Sequence, residues 1–150
     1  MVIGMQIRLM TIEDYEQVYD LWMHTPGMGL NNIDDSKDGI HKYLKRNPST
    51  CFVAEDKQKV VGVIMSGHDG RRGFIHHTTV APDYRKQGIG TRLVEHALAA
   101  LEKEDIHKVA LLVFATNELG NAFWEKLGFS SREDIVYRNK CIHELVRIDT

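Results

Sequence analysis

The residues best suited to bind an anion lie together in one short stretch of the chain. The glycines Gly88 and Gly90 closely follow the basic pair Arg85 and Lys86. Glycine lets the backbone approach a ligand, and the first amides of a helix that begins there have no partner within the helix. The dipole of such a helix also favours negative charge at its start. Residues 80–94 are therefore predicted to form a phosphate-binding turn between a strand and a helix.

The distribution of charge singles out the same part of the chain. The 150 residues carry a formal net charge of −2, which argues against a general nucleic-acid-binding protein. Residues 71–92 nevertheless contain five basic side chains and only one acidic one, whereas both flanking parts are acidic. A short basic segment of this kind favours a single polyanionic ligand, although chance clustering on a solvated face would give the same charges.

The glycine spacing alone does not decide between a ligand site and a tight turn that binds nothing. It lacks the third glycine of a dinucleotide-binding fingerprint and the Gly-Lys-Ser/Thr of a nucleoside-triphosphate-binding loop. A second motif lies downstream, where Asn117 and Gly120 are followed by the run Trp124-Glu-Lys-Leu-Gly128-Phe129. The order and separation of the two motifs are more informative than either motif by itself.

Together the two motifs resemble those of the GNAT N-acetyltransferase superfamily. Arg85-x-x-Gly88-x-Gly90 is similar to the superfamily signature Arg/Gln-x-x-Gly-x-Gly/Ala, and the downstream block resembles its Asn-x-x-Ala…Tyr-x-x-x-Gly-Phe sequence. Val80-x-Pro82 is similar to the end of the superfamily's splayed fourth strand. The resemblance covers nearly the whole chain. It implies an N-acetyltransferase that transfers an acetyl group from acetyl-CoA to a primary amine by direct attack in a ternary complex.

The resemblance also implies which residues bind acetyl-CoA, the co-substrate. Amides of residues 87–91 would hold the pyrophosphate, and backbone groups of Thr78 and Val80 would pair with pantetheine. The acetyl carbonyl would then be polarised near the Val80 amide, an oxyanion-type contribution that is often the largest catalytic one. The complete set of implied CoA-binding residues is Thr78, Thr79, Val80, Arg85, Lys86, Gln87, Gly88, Ile89, Gly90, Thr91, Asn117, Asn121 and Trp124.

A general base is expected because an acceptor amine with a pKa of about 10 is mostly protonated at neutral pH. Such a base contributes about 10²–10⁴-fold in rate. His76 is the first candidate: strand alternation predicts that it shares a face with Thr78 and Val80, and arylalkylamine members of the superfamily resemble this chain in carrying histidine at this strand position. His77 is expected on the opposite face, so that the two could not bind one metal. A hydrogen-bonded strand histidine without a catalytic role is the equally weighted alternative.

The proton donor for the leaving group is less well defined. Many members of the superfamily have a tyrosine where this chain has Trp124, whose indole donates hydrogen bonds but is not a practical proton source. Either Tyr137 or Tyr84 protonates the CoA thiolate, or water does, or the enzyme is slow; a thiolate with a pKa of about 8.5 leaves readily enough for any of these. Cys51 is predicted to be a small buried apolar residue and not an acetylated intermediate.

In the superfamily the acceptor groove is usually shaped by the first two helices, their loop and one end of the sheet. This implies that the substrate contacts Trp22, Met28, Asn31 and Asp34, with Arg71 open to a role as a carboxylate clamp. The acidic first 70 residues would suit a cationic amine, but a solvated helix face explains the same charges.

Hydrophobic periodicity predicts the elements that position these residues. Strands are predicted at residues 5–9, 51–54, 60–66, 74–80 and 109–114, with one or two more around 129–131 and 135–137. Helices are predicted after Thr11, after Asp35 or Ser36, after Gly88 and from Asn117 to Leu127. The expected fold is a single α/β (α+β) domain over residues 1–150. The resemblance to the superfamily implies a central mixed, mostly antiparallel sheet of six or seven strands that splays between the fourth and fifth strands and is flanked by about four helices.

Several classes of protein are not expected. Two cysteines without a CxxC spacing favour a reducing compartment, and eight histidines without ligand spacing predict no metal. The first eight residues lack the pattern of a secretory signal. The sequence also has no run of about 18 apolar residues, so no membrane span is predicted. We therefore expect a cytoplasmic enzyme acting on a small-molecule or protein amine, as a monomer or homodimer, with no nucleic-acid or membrane partner. The alternatives are a catalytically weak CoA-binding regulatory module and an acyltransferase that uses a longer acyl-CoA.

Overall fold

The computed structural model of the protein describes residues 5–149. The strands within those residues are β1 (Met5–Leu9), β2 (Phe52–Asp56), β3 (Lys59–His68), β4 (Gly73–Val80) and β5 (Val109–Leu111). The α-helices are α1 (Tyr15–Met23), α2 (Lys37–Arg46), α3 (Ile89–Lys103) and α4 (Glu118–Lys126). None of these helices is long and apolar enough to cross a bilayer. Met1–Gly4, from which part of the expectation about secretion was drawn, lie outside the described residues.

The five strands form one mixed sheet in the order β1-β2-β3-β4-β5. The first three pairs are antiparallel and the pair β4–β5 is parallel. The predicted fold class is confirmed, but the sheet has five strands within residues 5–149 instead of six or seven. The strands expected around residues 129–131 and 135–137 are not formed. Ile135, Val136 and Tyr137 are all exposed, so no alternation buries one face of this segment against the sheet.

The helices cover the two faces of the sheet and create two apolar clusters. One cluster packs α1 and α2 against the sheet through side chains such as Val18, Trp22 and Met65. The other packs α3 against the opposite face through side chains such as Ile64 and Leu93. Both layers reach β4, so residues on its two faces are held by different helices.

Strand β4 contains one extra residue relative to β3, next to the histidines singled out in the sequence. Val63 lies opposite Thr79 but Met65 lies opposite His76, so the register shifts by one residue between these pairs. His77 lies within this shift and has a left-handed φ of +47°. A bulge of this kind bends the strand and interrupts the alternation of its side chains.

The bulge overturns the predicted placement of the two histidines. Ring centroids lie 5.0 Å apart between His77 and Trp22 of α1, and 5.7 Å apart between His76 and Tyr43 of α2. Both histidines therefore face the α1–α2 layer, whereas Val80 packs against the cluster around α3. The expectations that His76 shares a face with Val80 and that His77 faces away are wrong, because strict alternation ends at the bulge.

The pairing between β4 and β5 is short. Only Gly73, Phe74 and Ile75 pair with β5, at Val109–Leu111. Strand β4 continues through Val80 with no strand beside it on this edge, so the two strands part after Ile75. This is the predicted opening between the fourth and fifth strands. The fifth strand, predicted over residues 109–114, ends at Leu111. Leu112 and Phe114, which the prediction included, are exposed, so the predicted segment is not buried on both faces.

Candidate functional site

The unpaired edge of β4 forms one wall of the candidate site. Beyond Ile75, its backbone groups on the β5 side have no strand partner among the described residues. The hydroxyl oxygen of Thr78 is also buried without a hydrogen-bond partner. Buried backbone and hydroxyl groups are nearly always paired in folded proteins, so this edge is suited to an extended ligand that adds to it as a strand would.

The start of α3 supplies a second wall. Gly88 precedes the helix with φ of +81°, and no side chain caps the helix. Lys86 also has a positive φ, of +63°. A Cβ atom at position 88 would meet nothing within 4 Å, so glycine is required there by conformation and not by lack of space. The amides of Ile89, Gly90 and Thr91 have no acceptor within the helix, so they are suited to bind an anion.

Gly90 has a different structural role from Gly88. A Cβ atom at this position would lie 3.2 Å from Cζ of Phe123 in α4. The absence of a side chain therefore lets α3 pack closely against α4. The interpretation that both glycines serve the approach of a ligand holds only for the turn at Gly88, where φ is positive.

Arg85 and Tyr84 lie in the turn between β4 and α3 and are held in different directions. The Arg85 Nε donates a hydrogen bond to the Val80 carbonyl oxygen at 3.0 Å, which keeps a guanidinium at the end of β4. The Tyr84 hydroxyl donates to Oδ2 of Asp56 in β2 at 2.8 Å. That hydrogen bond raises the pKa of Tyr84, so this residue is a poor source of a proton.

The residues at the start of α4 position this helix beside the opening. The Asn117 side chain accepts a hydrogen bond from the Gly120 amide at 2.9 Å, which caps the helix. Asn121 donates from Nδ2 to the Phe114 carbonyl oxygen at 3.1 Å. The Trp124 ring packs against two phenylalanines, with centroids 4.9 Å and 5.2 Å away. Each side chain has a packing or capping role, and contact with CoA stays a prediction for all of them.

His76 lies in an aromatic environment at the point where β4 leaves β5. Its ring centroid is 4.7 Å from that of Phe74 and 5.7 Å from that of Tyr43. Burial, with a smaller repulsion from His77, lowers the pKa of His76 from 6.5 to about 4. The ring is therefore neutral at pH 7, but it is a weak proton acceptor. Its nitrogens make no hydrogen bond with any residue in the described part of the chain.

His77 and Asp35 form a buried pair that the sequence analysis missed. Nε2 of His77 lies 2.7 Å from Oδ1 of Asp35, whose side chain is only 5% exposed. Oδ2 of Asp35 accepts the Asn31 amide at 2.8 Å, and the Trp22 indole donates to the His77 carbonyl oxygen at 3.2 Å. The sequence placed Asp35 at the start of the second helix, among the elements expected to shape the acceptor groove, but a strand bulge leaves no pattern that would have paired it with His77.

The residues predicted to contact the acceptor are dispersed. Trp22 is fully buried, and its indole donates a hydrogen bond to the carbonyl oxygen of His77, so it does not line a groove. Met28 packs against the core around α1. Asn31 organises its own loop by accepting the Asp34 amide at 2.7 Å. Arg71 lies in the exposed β3–β4 turn.

Two further predicted site residues are Tyr137, considered for catalysis, and Thr79, implied to bind CoA. Tyr137 is 63% exposed and makes no hydrogen bond to other residues within 5–149. Thr79 is buried, and its hydroxyl lies 3.2 Å from that of Thr25 in the α1 layer, away from the opening. The backbone of β4, and not these two side chains, therefore faces the site.

Cys51 is a buried residue, as expected. It is 1% exposed, and burial raises the pKa of its thiol to about 12, so the thiol stays protonated at neutral pH. Its Sγ donates to the Ser66 carbonyl oxygen at 3.2 Å. A protonated thiol in this position is unsuited to forming a covalent intermediate. Among the described residues, no cluster of three or more histidine, cysteine or acidic side chains could hold a metal ion.

Comparison with known proteins gives the family context of this arrangement. The profile of the Acetyltransferase (GNAT) family matches residues 15–129. An acetyltransferase of Sodalis glossinidius (strain morsitans) is 31% identical over 140 residues, which cover 93% of this chain and 97% of that protein.

Solved structures of the same fold include two that hold CoA or a CoA-containing molecule. The PaiA N-acetyltransferase of Thermoplasma acidophilum in complex with coenzyme A has a TM-score of 0.76 at 20% identity, covering 87% of this chain and 92% of that one. AAC(6')-Iy with the bisubstrate analogue CoA-S-monomethyl-acetylneamine has a TM-score of 0.67 at 19% identity, covering 91% and 99%. At these identities the likeness shows the fold.

The lowered pKa of His76 predicts that stability depends on pH. Because folding lowers this pKa from 6.5 to about 4, the unfolded chain binds the proton more readily between these values. The stability gained from the neutral ring is fully present above pH 6.5 and is lost as the pH falls towards 4. We expect His76→Phe, which removes the titrating ring, to reduce the fall in the urea midpoint between neutral pH and about pH 5.

His107→Gln is the matched control for this measurement, because His107 is 83% exposed. The control is expected to show the same fall as the wild-type protein. Equal falls in the wild-type protein and in His76→Phe would contradict the low pKa.

Proposed function

Since the chain belongs to the GNAT acetyltransferase family and is an acetyl-CoA-dependent acyltransferase, we propose that it acetylates a primary amine by direct attack in a ternary complex. The observation that carries this proposal is the unpaired edge of β4 leading directly into the uncapped start of α3. An extended thioester arm along the strand and a pyrophosphate at the helix would use both features. The bound coenzyme A of the Thermoplasma acidophilum neighbour supports this choice of ligand.

The chain's own groups fit such a ligand in three places. The edge of β4 beyond Ile75 offers backbone groups to an extended arm, apart from the carbonyl oxygens of His77 and Val80, which accept from Trp22 and Arg85. The buried Thr78 hydroxyl also lacks another partner. The amides of residues 89–91 are free to bind phosphate oxygens, with Arg85 and Lys86 beside them. We propose that Gly88 preserves this turn and that Ile89, which is buried, contributes only its amide.

His77, oriented by Asp35, is proposed to accept the proton that the amine loses. The reaction forms the amide N–C bond and breaks the thioester C–S bond, so one proton leaves the nitrogen and one is taken up by the thiolate. If Nε2 of His77 donates to Asp35, Nδ1 carries the free lone pair, and a buried carboxylate stabilises the imidazolium that forms. His76 remains the other predicted base, and its pKa of about 4 makes it a weak proton acceptor.

The thiolate is proposed to leave without a tyrosine close by. Trp124 is packed among aromatic rings, the Tyr84 hydroxyl is bound to Asp56, and Tyr137 lies in the exposed tail. A thiol with a pKa of about 8.5 is a good enough leaving group that water can protonate it after the C–S bond breaks.

The acceptor is proposed to be a small-molecule amine. The neighbour in complex with CoA-S-monomethyl-acetylneamine, a bisubstrate analogue, supports this class over a protein amine. The test is release of CoA thiol, read with DTNB, from acetyl-CoA over a panel of amines. Turnover well above hydrolysis supports the proposal. Tight CoA binding without turnover on any amine would instead support a regulatory CoA-binding module.

Gly88→Ala tests the proposed pyrophosphate site. An alanine at φ of +81° is strained, and the left-handed region costs a residue with a Cβ about 1–2 kcal/mol, so the turn is expected to change shape. We expect the Kd for CoA, measured by isothermal titration calorimetry, to rise about tenfold or more. Gly128→Ala is the control, since φ there is +91° and a Cβ would also meet nothing within 4 Å. Equal affinities in the two variants would contradict the site.

The histidine–aspartate pair predicts a particular kinetic pattern. His77→Gln should lower kcat by about 100-fold at neutral pH, because the proposed proton acceptor is lost, and by less at high pH, where the acceptor amine is already deprotonated. Asp35→Asn keeps the shape but loses the charge, so it should give a smaller decrease. A purely structural role would change thermal stability or CoA affinity and would lower kcat equally at all pH values. A His77→Gln enzyme with wild-type kcat at neutral pH would exclude His77 as the base.

A further inference from the structure

A cavity lies on the α2 side of β4, beside the opening. Its volume is about 420 Å³, and it is bounded by the end of α2, the turn between β3 and β4, and the start of β5. The side chains of Tyr43, Phe74, His76 and Ala110 form an apolar and aromatic part of its lining. His76 is the first residue of β4 beyond the pairing with β5, so the cavity reaches the point where the strands part.

The rest of the lining is strongly basic. Arg46, Arg72 and Lys108 line the cavity, and none of these side chains forms an ion pair or a hydrogen bond within residues 5–149. The acidic side chain in the lining is Asp69, whose Oδ1 accepts the amides of Arg71 and Arg72, both at 2.8 Å. Three unpaired cations around an apolar floor are suited to bind a carboxylate or a phosphate.

The pair of His77 and Asp35 lies next to His76. The ring centroids of His76 and His77 are 6.0 Å apart, and Nε2 of His77 lies 2.7 Å from Oδ1 of Asp35. His76 therefore adjoins both the basic cavity, which suits an oxyanion, and a pair whose carboxylate suits an ammonium group.

We propose that the basic cavity binds an oxyanion group, a carboxylate or a phosphate, of the acceptor, while the amine of the same molecule reaches the opening of β4. This inference rests on the proposed function and names the class of its substrate. An amine that also carries an anionic group would satisfy the basic side chains at one end and present its nitrogen near His77 at the other. A purely cationic amine would leave the three basic side chains unpaired and would be repelled by them.

The dimensions set the size of such an acceptor. At a strand rise of about 3.3 Å per residue, Gly73 and His76 are separated by about 10 Å along β4. An anionic group in the cavity and an amine at the opening can therefore be separated by several bonds. This favours acceptors whose amine lies at the end of a chain over those in which it adjoins the carboxylate.

The test compares matched pairs of amines in the acetyl-CoA assay. Each pair differs only in the anionic group: 6-aminohexanoate and pentylamine, lysine and cadaverine, and, for phosphate, phosphoethanolamine and ethylamine. We expect kcat/KM to be at least tenfold higher for the anionic member of a carboxylate or phosphate pair, mainly through KM. The pair with the larger ratio identifies which oxyanion the cavity prefers.

Two variants connect this preference to the cavity. Arg72→Gln and Arg46→Gln should each reduce the ratio within a pair by about tenfold, mainly by lowering kcat/KM for the anionic member. Lys45→Gln is the control: this exposed lysine is adjacent to Arg46 and does not line the cavity. It removes the same charge and should leave the ratio unchanged. Thermal unfolding confirms that each variant is folded.

The outcomes separate this inference from the proposed function. The anion subsite is wrong, and the acetyltransferase proposal stands, in either of two cases. In the first, the amines without the anionic group are acetylated as efficiently as their anionic partners. In the second, Arg72→Gln and Arg46→Gln both leave the ratio unchanged. If no member of any pair is acetylated although CoA binds, both proposals are wrong.

Discussion

Strand β4 has a partner on both edges for only its first three residues. After Ile75 it loses β5, and its backbone then continues with one edge unpaired as far as Val80. Backbone N–H and C=O groups near a protein interior require partners, so this edge is stable only beside water or beside a ligand that supplies the missing hydrogen bonds. The turn after Val80 leads into a helix whose first amides are also free. One gap in the sheet therefore determines where an extended, phosphate-bearing ligand can bind.

The bulge at His77 connects this gap to the other side of the sheet. Because one residue is added to β4, His77 points into the α1–α2 layer, where Trp22 and Asp35 hold its carbonyl oxygen and its ring. His76 takes the adjacent place in an aromatic environment that keeps its ring neutral at pH 7. The groups suited to an acceptor thus lie on the α1–α2 side, while the groups suited to phosphate lie at the start of α3. Such a separation suits a reaction in which two substrates meet at one strand.

Much of this arrangement follows from the sequence, and the exceptions have physical reasons. Helical and strand periodicity predicted the first four strands and all four helices, because their apolar residues recur at helical or strand spacing. The family motifs marked the turn at Gly88 and the start of α4 at Asn117. The strands predicted around residues 129–131 and 135–137 did not form, since Ile135, Val136 and Tyr137 are exposed and neither segment pairs with the sheet.

The catalytic side was less predictable because it depends on contacts between distant residues. A one-residue bulge at His77 turns both histidines towards the α1–α2 layer, away from Val80, and nothing in the local sequence indicates it. The pairing of His77 with Asp35 spans 42 positions and arises only when the α1–α2 loop folds onto β4. The basic cavity likewise unites Arg46, Arg72 and Lys108 from three separate segments.

The central claim is that one ligand occupies the edge of β4 and the start of α3 at the same time. Amide hydrogen exchange, followed residue by residue during a titration with CoA, tests it most directly. Amides of residues 78–80 and 87–91 should become protected together, with one apparent Kd, while those of β1 and β2 stay unchanged. Saturating CoA that leaves both segments exchanging as in the free protein, or that protects only one of them, would contradict the claim.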